Sequence, residues 1–180
     1  MIAAQELRKK NISEYLLYMY HIEDVIRSFD MDQIKIQKYI IEKYTSEANI
    51  QDIEEWFAGI IGMMKTENKI QKGHITLLDM LINELEGFHL RLMNSEEEDY
   101  KTSYNKVNNI VTDIVSRANS TENLRITEIC LNIMYWYLMQ KLSKHEISDL
   151  QLKQIKTVSN YLALLSSYFY KYENGLYEIS

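Results

Sequence analysis

The sequence predicts an all-α protein, and three observations support this prediction. The 180 residues include no proline, although average usage would give roughly nine in a chain of this length. Proline fixes φ and removes a backbone donor, so it is common in loops, turns and strand edges. There are also only five glycines, and apolar residues recur at i, i+3 and i+4 along most of the chain. We expect a single-domain up-down bundle of six or seven helices that spans residues 1–180.

The ends of these helices are placed by capping residues. Asn11 begins the first helix, with Glu14 three residues on as in a capping box. Gly73 ends the third interhelical connection, and Ser148 caps the last helix. The remaining breaks fall near Asp30, at Thr45–Asn49, at Asn94–Ser95 and at Ser120–Thr121. The seven expected helices cover about 11–29, 32–44, 50–65, 74–93, 96–118, 122–142 and 149–172.

Composition and charge disfavour several classes of partner. The net charge is −6, and the 20 lysines and arginines are spread among 26 acidic residues, so no basic face for nucleic acid is expected. The longest apolar stretch, Ile129–Met139, is interrupted by Asn132 and is too short to span a membrane. The first residues have no apolar core of a signal peptide, and the lone Cys130 fits a reducing compartment. We expect a soluble, cytoplasmic protein without a nucleic-acid or membrane partner.

Two helices are apolar on nearly every side. One contains Tyr15–Tyr20 and the other contains Ile129–Met139. Such a helix is either buried on all sides within a bundle or completes its burial in an oligomer, and both alternatives stand. Tyrosines of the last helix also share one face, and tyrosine suits half-buried seams and interfaces. We expect a twofold homodimer, with the candidate interface residues Trp136, Tyr137, Tyr161, Tyr168 and Tyr172.

A compact polar group lies on the otherwise apolar first helix. Its members are Tyr18, His21, Glu23, Asp24 and Arg27. Glu23 and Arg27 are spaced i, i+4 and can pair along the helix, and Asp24 at i+3 from His21 could orient the imidazole. The functional interpretation is a small pocket or a proton-handling site. The alternative is a solvated stripe of surface pairs worth a few tenths of a kcal/mol.

The segment NISEYLLYMYHIEDVIRSFD, Asn11–Asp30, resembles the opening helix of an uncharacterised all-helical bacterial family. That family is a domain of unknown function associated with the Bacteroides group. The resemblance covers about twenty residues and is a helix pattern, not a chemical motif. It implies an all-α fold over the whole chain and a bacterial cytoplasmic origin, and it implies no activity.

No motif in the sequence predicts a cofactor or a metal. Glu86 and His89 form one Glu-x-x-His pair, whereas di-iron bundles use two. The other histidines, His21, His74 and His145, have no glutamate three residues earlier. Cys130 lies in an apolar helix, so we expect a buried, unreactive thiol. P-loop, nucleophile-elbow and dinucleotide-binding motifs are absent from the sequence, so enzymatic activity is not expected.

The function expected from the sequence is a non-enzymatic cytoplasmic interaction protein that forms a homo-oligomer or binds another protein. The alternative is a helical bundle that binds a small ligand or metal ion in its core. A helix-turn-helix regulator is disfavoured, because the first connections lack the turn glycine common in that motif. An interior pocket with convergent polar groups would favour ligand binding, and a closed core with an apolar outer patch would favour interaction.

Overall fold

The computed structural model describes residues 2–39, 50–118 and 125–179. Within these ranges the protein is all-α, as predicted, and has eight helices where six or seven were expected. They are α1 Ile2–Lys10, α2 Ile12–Ser28, α3 Gln33–Tyr39, α4 Ile50–Thr66, α5 Thr76–Met93, α6 Glu98–Ala118, α7 Ile126–Leu142 and α8 Asp149–Glu173. None of these helices is long and apolar enough to cross a membrane.

The helix that the prediction missed is α1. A single residue, Asn11, separates it from α2, so the capping signal at Asn11 was interpreted as the start of the first helix. Its buried anchor among the described side chains is Ala4, which is too small to give a strong apolar pattern. Three basic residues close the helix, where the macrodipole favours positive charge.

Most other boundaries agree with the sequence. Ser148 caps α8 as predicted: its Oγ accepts from the Gln151 N–H at 3.3 Å, and the Gln151 side chain accepts from the Ser148 N–H at 3.0 Å. Gly73 has φ +79, which fits its predicted role before α5, although that helix begins at Thr76 and not at His74. The predicted end of the second helix at Tyr44, the break at Thr45–Asn49 and the cap at Ser120–Thr121 lie outside the described residues.

The chain divides into two compact units, and unit 1 comprises Met1–Lys10 and Glu14–Met80. In this unit α3 packs against α4. The buried residues of α4 are those predicted from its apolar spacing: Ile53, Phe57, Ile60, Ile61 and Met64. Burial of side chains of this size stabilises the fold by about 1.5–3 kcal/mol each.

Unit 2 comprises Asn11–Ser13 and Leu81–Ser180. Within it α6, α7 and α8 pack against one another. Phe88 and Phe169 meet edge to face, with ring centroids 5.3 Å apart. The Ser166 hydroxyl donates to the Ser13 hydroxyl at 2.7 Å. The single-domain organisation and the up-down order of the bundle stay predictions.

Candidate functional site

A buried carboxylate organises the connection between α4 and α5, residues 67–75, which we call the 67–75 connection. Glu23 of α2 is fully buried, and a buried charge is costly unless it is paired and hydrogen-bonded. Its Oε1 accepts from the Ile75 N–H at 2.9 Å, and its Oε2 lies 2.6 Å from Nδ1 of His74. Because a carboxylate only accepts hydrogen bonds, Nδ1 is the protonated nitrogen of His74.

The other ring nitrogen of His74 is open. The ring stacks on Tyr20 with centroids 3.7 Å apart and planes 10° from parallel. The side chain is 24% exposed, and Nε2 is neither buried nor hydrogen-bonded to any described residue. The imidazole is therefore held by Glu23 on one side and presents an available lone pair on the other.

Arg27 ties the 67–75 connection to α2. Its guanidinium donates to the carbonyl oxygens of Lys69, at 3.1 Å, and of Gly73. The same group forms an ion pair with Asp24 at 2.8 Å. At the far end of the connection, Glu67 accepts from both the backbone N–H and the hydroxyl of Thr76, at 2.5 and 2.9 Å. The segment that carries His74 is therefore fixed from several directions.

A small pocket of about 240 Å³ lies beside this connection. It is lined by Arg27, Asp30, Met31, Ile70 and Gln71. Asp30 and Met31 both have positive φ, at 56° and 59°, a conformation that costs a non-glycine residue about 1–3 kcal/mol. The Met31 N–H donates to the Ile26 carbonyl at 3.1 Å, which closes α2. The pocket is smaller than the roughly 300–1,000 Å³ typical of drug-sized ligands.

The structure brings part of the predicted polar cluster together, but with different pairings. The expected Glu23–Arg27 pair is wrong, because Glu23 bonds His74 and Arg27 bonds Asp24. Asp24 is engaged by Arg27, and Nδ1 of His21 is buried with no hydrogen-bond partner among the described residues. Tyr18 is half-buried. The functional role of the cluster stays a prediction.

Sequence reasoning missed His74 because its partner lies 51 residues away. One signal of a buried partner was present on α2. Glu23 follows Met19 by four residues and precedes Ile26 by three, so it falls on the apolar stripe that faces the core. A lone acid on such a stripe requires a hydrogen-bond donor from elsewhere in the chain.

A second polar cluster, in unit 2, is sealed from solvent. His89, Tyr100 and Tyr161 are 2%, 0% and 0% exposed. Nδ1 of His89 lies 2.7 Å from the Tyr100 hydroxyl and 3.0 Å from that of Tyr161, and the two hydroxyls are 3.2 Å apart. Burial lowers the pKa of His89, although nearby Glu86 opposes this shift. Burial is also the main cause that raises the pKa of both tyrosines, so all three groups are neutral.

Glu86 and His89, the Glu-x-x-His pair, contact different residues. Glu86 accepts from the N–H of Thr127 at 3.1 Å and from its hydroxyl at 2.7 Å, at the start of α7, whereas His89 contacts the tyrosines. Across residues 2–39, 50–118 and 125–179 no three His, Cys, Asp or Glu side chains are placed to hold a metal. Cys130 is buried, as predicted, and burial, followed by Glu86, raises its pKa.

The second half of helix α7 is apolar and only partly buried. It is apolar on all sides, as predicted, yet its buried residues are Thr127, Cys130 and Leu131, all in its first half. No residue from Asn132 to Leu142 is buried, and Trp136 is 42% exposed. We define the α7 surface as Ile133, Met134, Tyr135, Trp136, Tyr137, Leu138, Met139 and Leu142.

The candidate interface residues differ in their burial and in their contacts. Trp136 is exposed and Tyr137 is half-buried on α7. Tyr172 is 39% exposed, and its ring lies under the Arg91 guanidinium at 4.8 Å. Tyr168 donates to Glu97 at 2.5 Å. The inclusion of Tyr161 was wrong, because it is fully buried and its hydroxyl is satisfied inside the protein.

Comparison with known proteins places the chain in a family. The family model that matches is Domain of unknown function (DUF4924), over residues 1–176. The chain belongs to this family, and the expectation of a domain of unknown function is confirmed. No curated protein and no solved structure matches the chain. The association with the Bacteroides group and a bacterial source stays a prediction.

Proposed function

We propose that this DUF4924 member is a non-enzymatic interaction protein of the bacterial cytoplasm that works as a homodimer through the α7 surface. One observation carries the proposal: the second half of the most apolar helix has no buried residue. Large exposed apolar patches on a folded protein mark interaction sites. The reducing cytoplasm fits the single buried thiol.

The chemistry of the α7 surface favours a second copy of this chain as its occupant. No charged residue lies between Glu128 and Lys141, so two copies of the helix can meet across a twofold axis without like-charge repulsion. The surface is rich in Tyr, Trp and Met, which are enriched at the cores of protein interfaces where charged residues are depleted. Trp136 near its middle is suited to be the anchor.

A stable dimer requires more buried area than Trp136 alone can supply. An aromatic side chain buries about 150–250 Å², so at 42% exposure Trp136 still offers roughly 60–100 Å². A stable dimer buries at least about 1,000 Å² in total. We therefore propose that the contact continues from α7 to the start of α8, where Leu150 and Leu152 are 67% and 41% exposed.

Light scattering coupled to size-exclusion chromatography tests the dimer. We expect twice the chain mass at tens of micromolar, and a shift to monomer when Trp136→Glu places a charge in the α7 surface. Leu90→Glu is the matched control, because Leu90 is 54% exposed on α5 of the same unit and lies outside the α7 surface. A monomeric wild-type protein contradicts the proposal, and so does dissociation by Leu90→Glu alone.

The alternative, a bundle that binds a small ligand or metal ion in its core, has less support. In unit 2 the buried polar groups His89, Tyr100 and Tyr161 bond one another. These hydrogen bonds leave fewer of their donors and acceptors for a ligand. The described pocket lies at the end of α2 and the 67–75 connection, not between core helices. The expected lack of a nucleic-acid partner stays a prediction.

A further inference from the structure

We propose that His74 is a phosphoryl acceptor, whose Nε2 takes a phosphoryl group from an N-phosphoryl donor. This donor class consists of phosphoramidates and includes the phosphohistidine of another protein. The proposal does not depend on the dimer. It rests on an imidazole that is fixed by a buried carboxylate, has no hydrogen bond to a described residue at its other nitrogen, and lies on a connection that contains two lysines.

The placement of the two ring nitrogens supports this chemistry. Nδ1 lies 2.6 Å from the buried Glu23 carboxylate, which fixes both the tautomer and the orientation of the ring. Nε2 is accessible and has no hydrogen-bond partner among the described residues. The nitrogen that carries the lone pair is therefore the one that the described residues leave without a hydrogen bond. Stacking on Tyr20 restricts the ring further, so the nucleophile is oriented before any donor arrives.

The transfer balances without a separate base. The Nε2 lone pair attacks phosphorus, and an N–P bond forms as the N–P bond of the donor breaks. The electron pair of the broken bond leaves with the donor nitrogen, which departs as ammonia when the donor is zwitterionic phosphoramidate. The modified ring keeps its Nδ1 proton and becomes cationic. The Glu23 carboxylate at 2.6 Å stabilises that positive charge.

Two lysines belong to the connection that carries the acceptor. The Lys69 ammonium is 3.5 Å from the position that a Cβ on Gly73 would occupy, next in sequence to His74. Lys72 is exposed on the same connection. Cationic side chains near a phosphoryl group stabilise the charge that develops during transfer. Arg27 holds the backbone of the connection in place through the carbonyls of Lys69 and Gly73.

The other histidines lack this combination of features. His89 is buried between two tyrosine hydroxyls. His21 has a buried Nδ1 without a partner among the described residues. His145 is exposed in the α7–α8 connection and has no carboxylate against its ring among the described residues, so it is the matched control for an accessible imidazole.

The test is incubation of the full chain with potassium phosphoramidate, followed by intact-mass and peptide-mapping mass spectrometry. We expect one acid-labile phosphoryl group per chain, located on His74. His74→Gln is expected to abolish it, and His145→Gln to leave its rate unchanged. Labelling of His145 at the rate of His74, or wild-type labelling of His74→Gln, overturns the proposal.

Two further variants test how the residues around His74 contribute to its reactivity. Glu23→Gln keeps an acceptor for the Ile75 N–H and removes the negative charge, so labelling should slow by about tenfold or more. Lys69→Gln removes a positive charge from the connection that carries His74. Labelling of His74 should therefore slow by about threefold, because the phosphoryl group is negatively charged. Circular dichroism verifies that each variant is folded. Unchanged rates in both folded variants contradict the assigned roles.

Discussion

The two units contain contrasting histidines. In unit 1, His74 has a buried carboxylate on Nδ1 and an open Nε2, at 24% exposure. In unit 2, His89 is 2% exposed and its Nδ1 meets two tyrosine hydroxyls. The first histidine is anchored and chemically available, and the second is anchored and enclosed.

The contrast shows that hydrogen bonding alone does not identify a functional histidine. Both rings are held by polar partners, so both are fixed in orientation. The partner of His74 is a buried carboxylate, whereas His89 meets two tyrosine hydroxyls in a sealed interior, where burial lowers its pKa although Glu86 opposes this shift. Access to the second nitrogen then decides which ring can react. The predictions below test this difference, from the largest expected effect to the smallest.

Removal of the Glu23 carboxylate should be the most damaging of these changes. Glu23→Ala leaves the Ile75 N–H and the His74 ring without their partner, and loss of one member of a buried polar pair costs about 3 kcal/mol or more. Urea unfolding followed by circular dichroism measures the change. Glu84→Ala, at an exposed position of α5, is the control and should stay within about 0.5 kcal/mol of wild type. Equal effects would show that Glu23 is not structural.

Removal of one hydroxyl from the sealed cluster should cost less. Tyr161→Phe deletes the group that lies 3.0 Å from His89 and 3.2 Å from Tyr100. Since the ring itself remains packed, we expect a loss of about 1–2 kcal/mol in the free energy of unfolding. Tyr170→Phe, at a 39% exposed ring, should be nearly neutral. A neutral Tyr161→Phe would mean that the hydroxyl network adds no stability.

The pH dependence of stability should follow His89. Its pKa is lowered in the native state from the usual 6.5, so below about pH 6.5 the unfolded chain binds a proton that the native chain does not. The free energy of unfolding therefore falls as pH drops below that value, by at most about 1.4 kcal/mol per pH unit. Thermal melts of wild type and His89→Gln between pH 7 and 5 measure the slope. The variant should have a shallower slope, and equal slopes in the two proteins would contradict this assignment.

The parts of the fold that the sequence predicted are those set by local patterns. The buried stripe of α4 was predicted in full, because an amphipathic helix has one apolar face whose spacing determines which residues are inside. The same reasoning failed for Tyr161. Spacing groups the tyrosines of α8 on one side, but it does not tell whether that side meets solvent or other helices. In the folded protein Tyr161 is fully buried and its hydroxyl bonds His89 and Tyr100.

Long-range contacts explain what sequence patterns could not supply at the candidate site. Glu23 and His74 are 51 residues apart, and no helical periodicity links them. The local pairing that sequence spacing favoured, Glu23 with Arg27, is replaced by other contacts. The acid bonds a backbone N–H and an imidazole, and the arginine bonds Asp24 and two backbone carbonyls. A charged residue in an apolar stripe is a signal of burial, but it does not name its partner.

Carbethoxylation by diethyl pyrocarbonate, located by peptide mapping, tests the contrast between the two histidines most directly. The reagent modifies unprotonated imidazole nitrogens that it can reach. In the native protein at neutral pH we expect rapid modification of His74, through its open Nε2. We expect His89 to resist until the protein is denatured, because it is sealed in unit 2. Modification of native His89 at the rate of His74, or protection of His74 to the level of His89, would contradict this account.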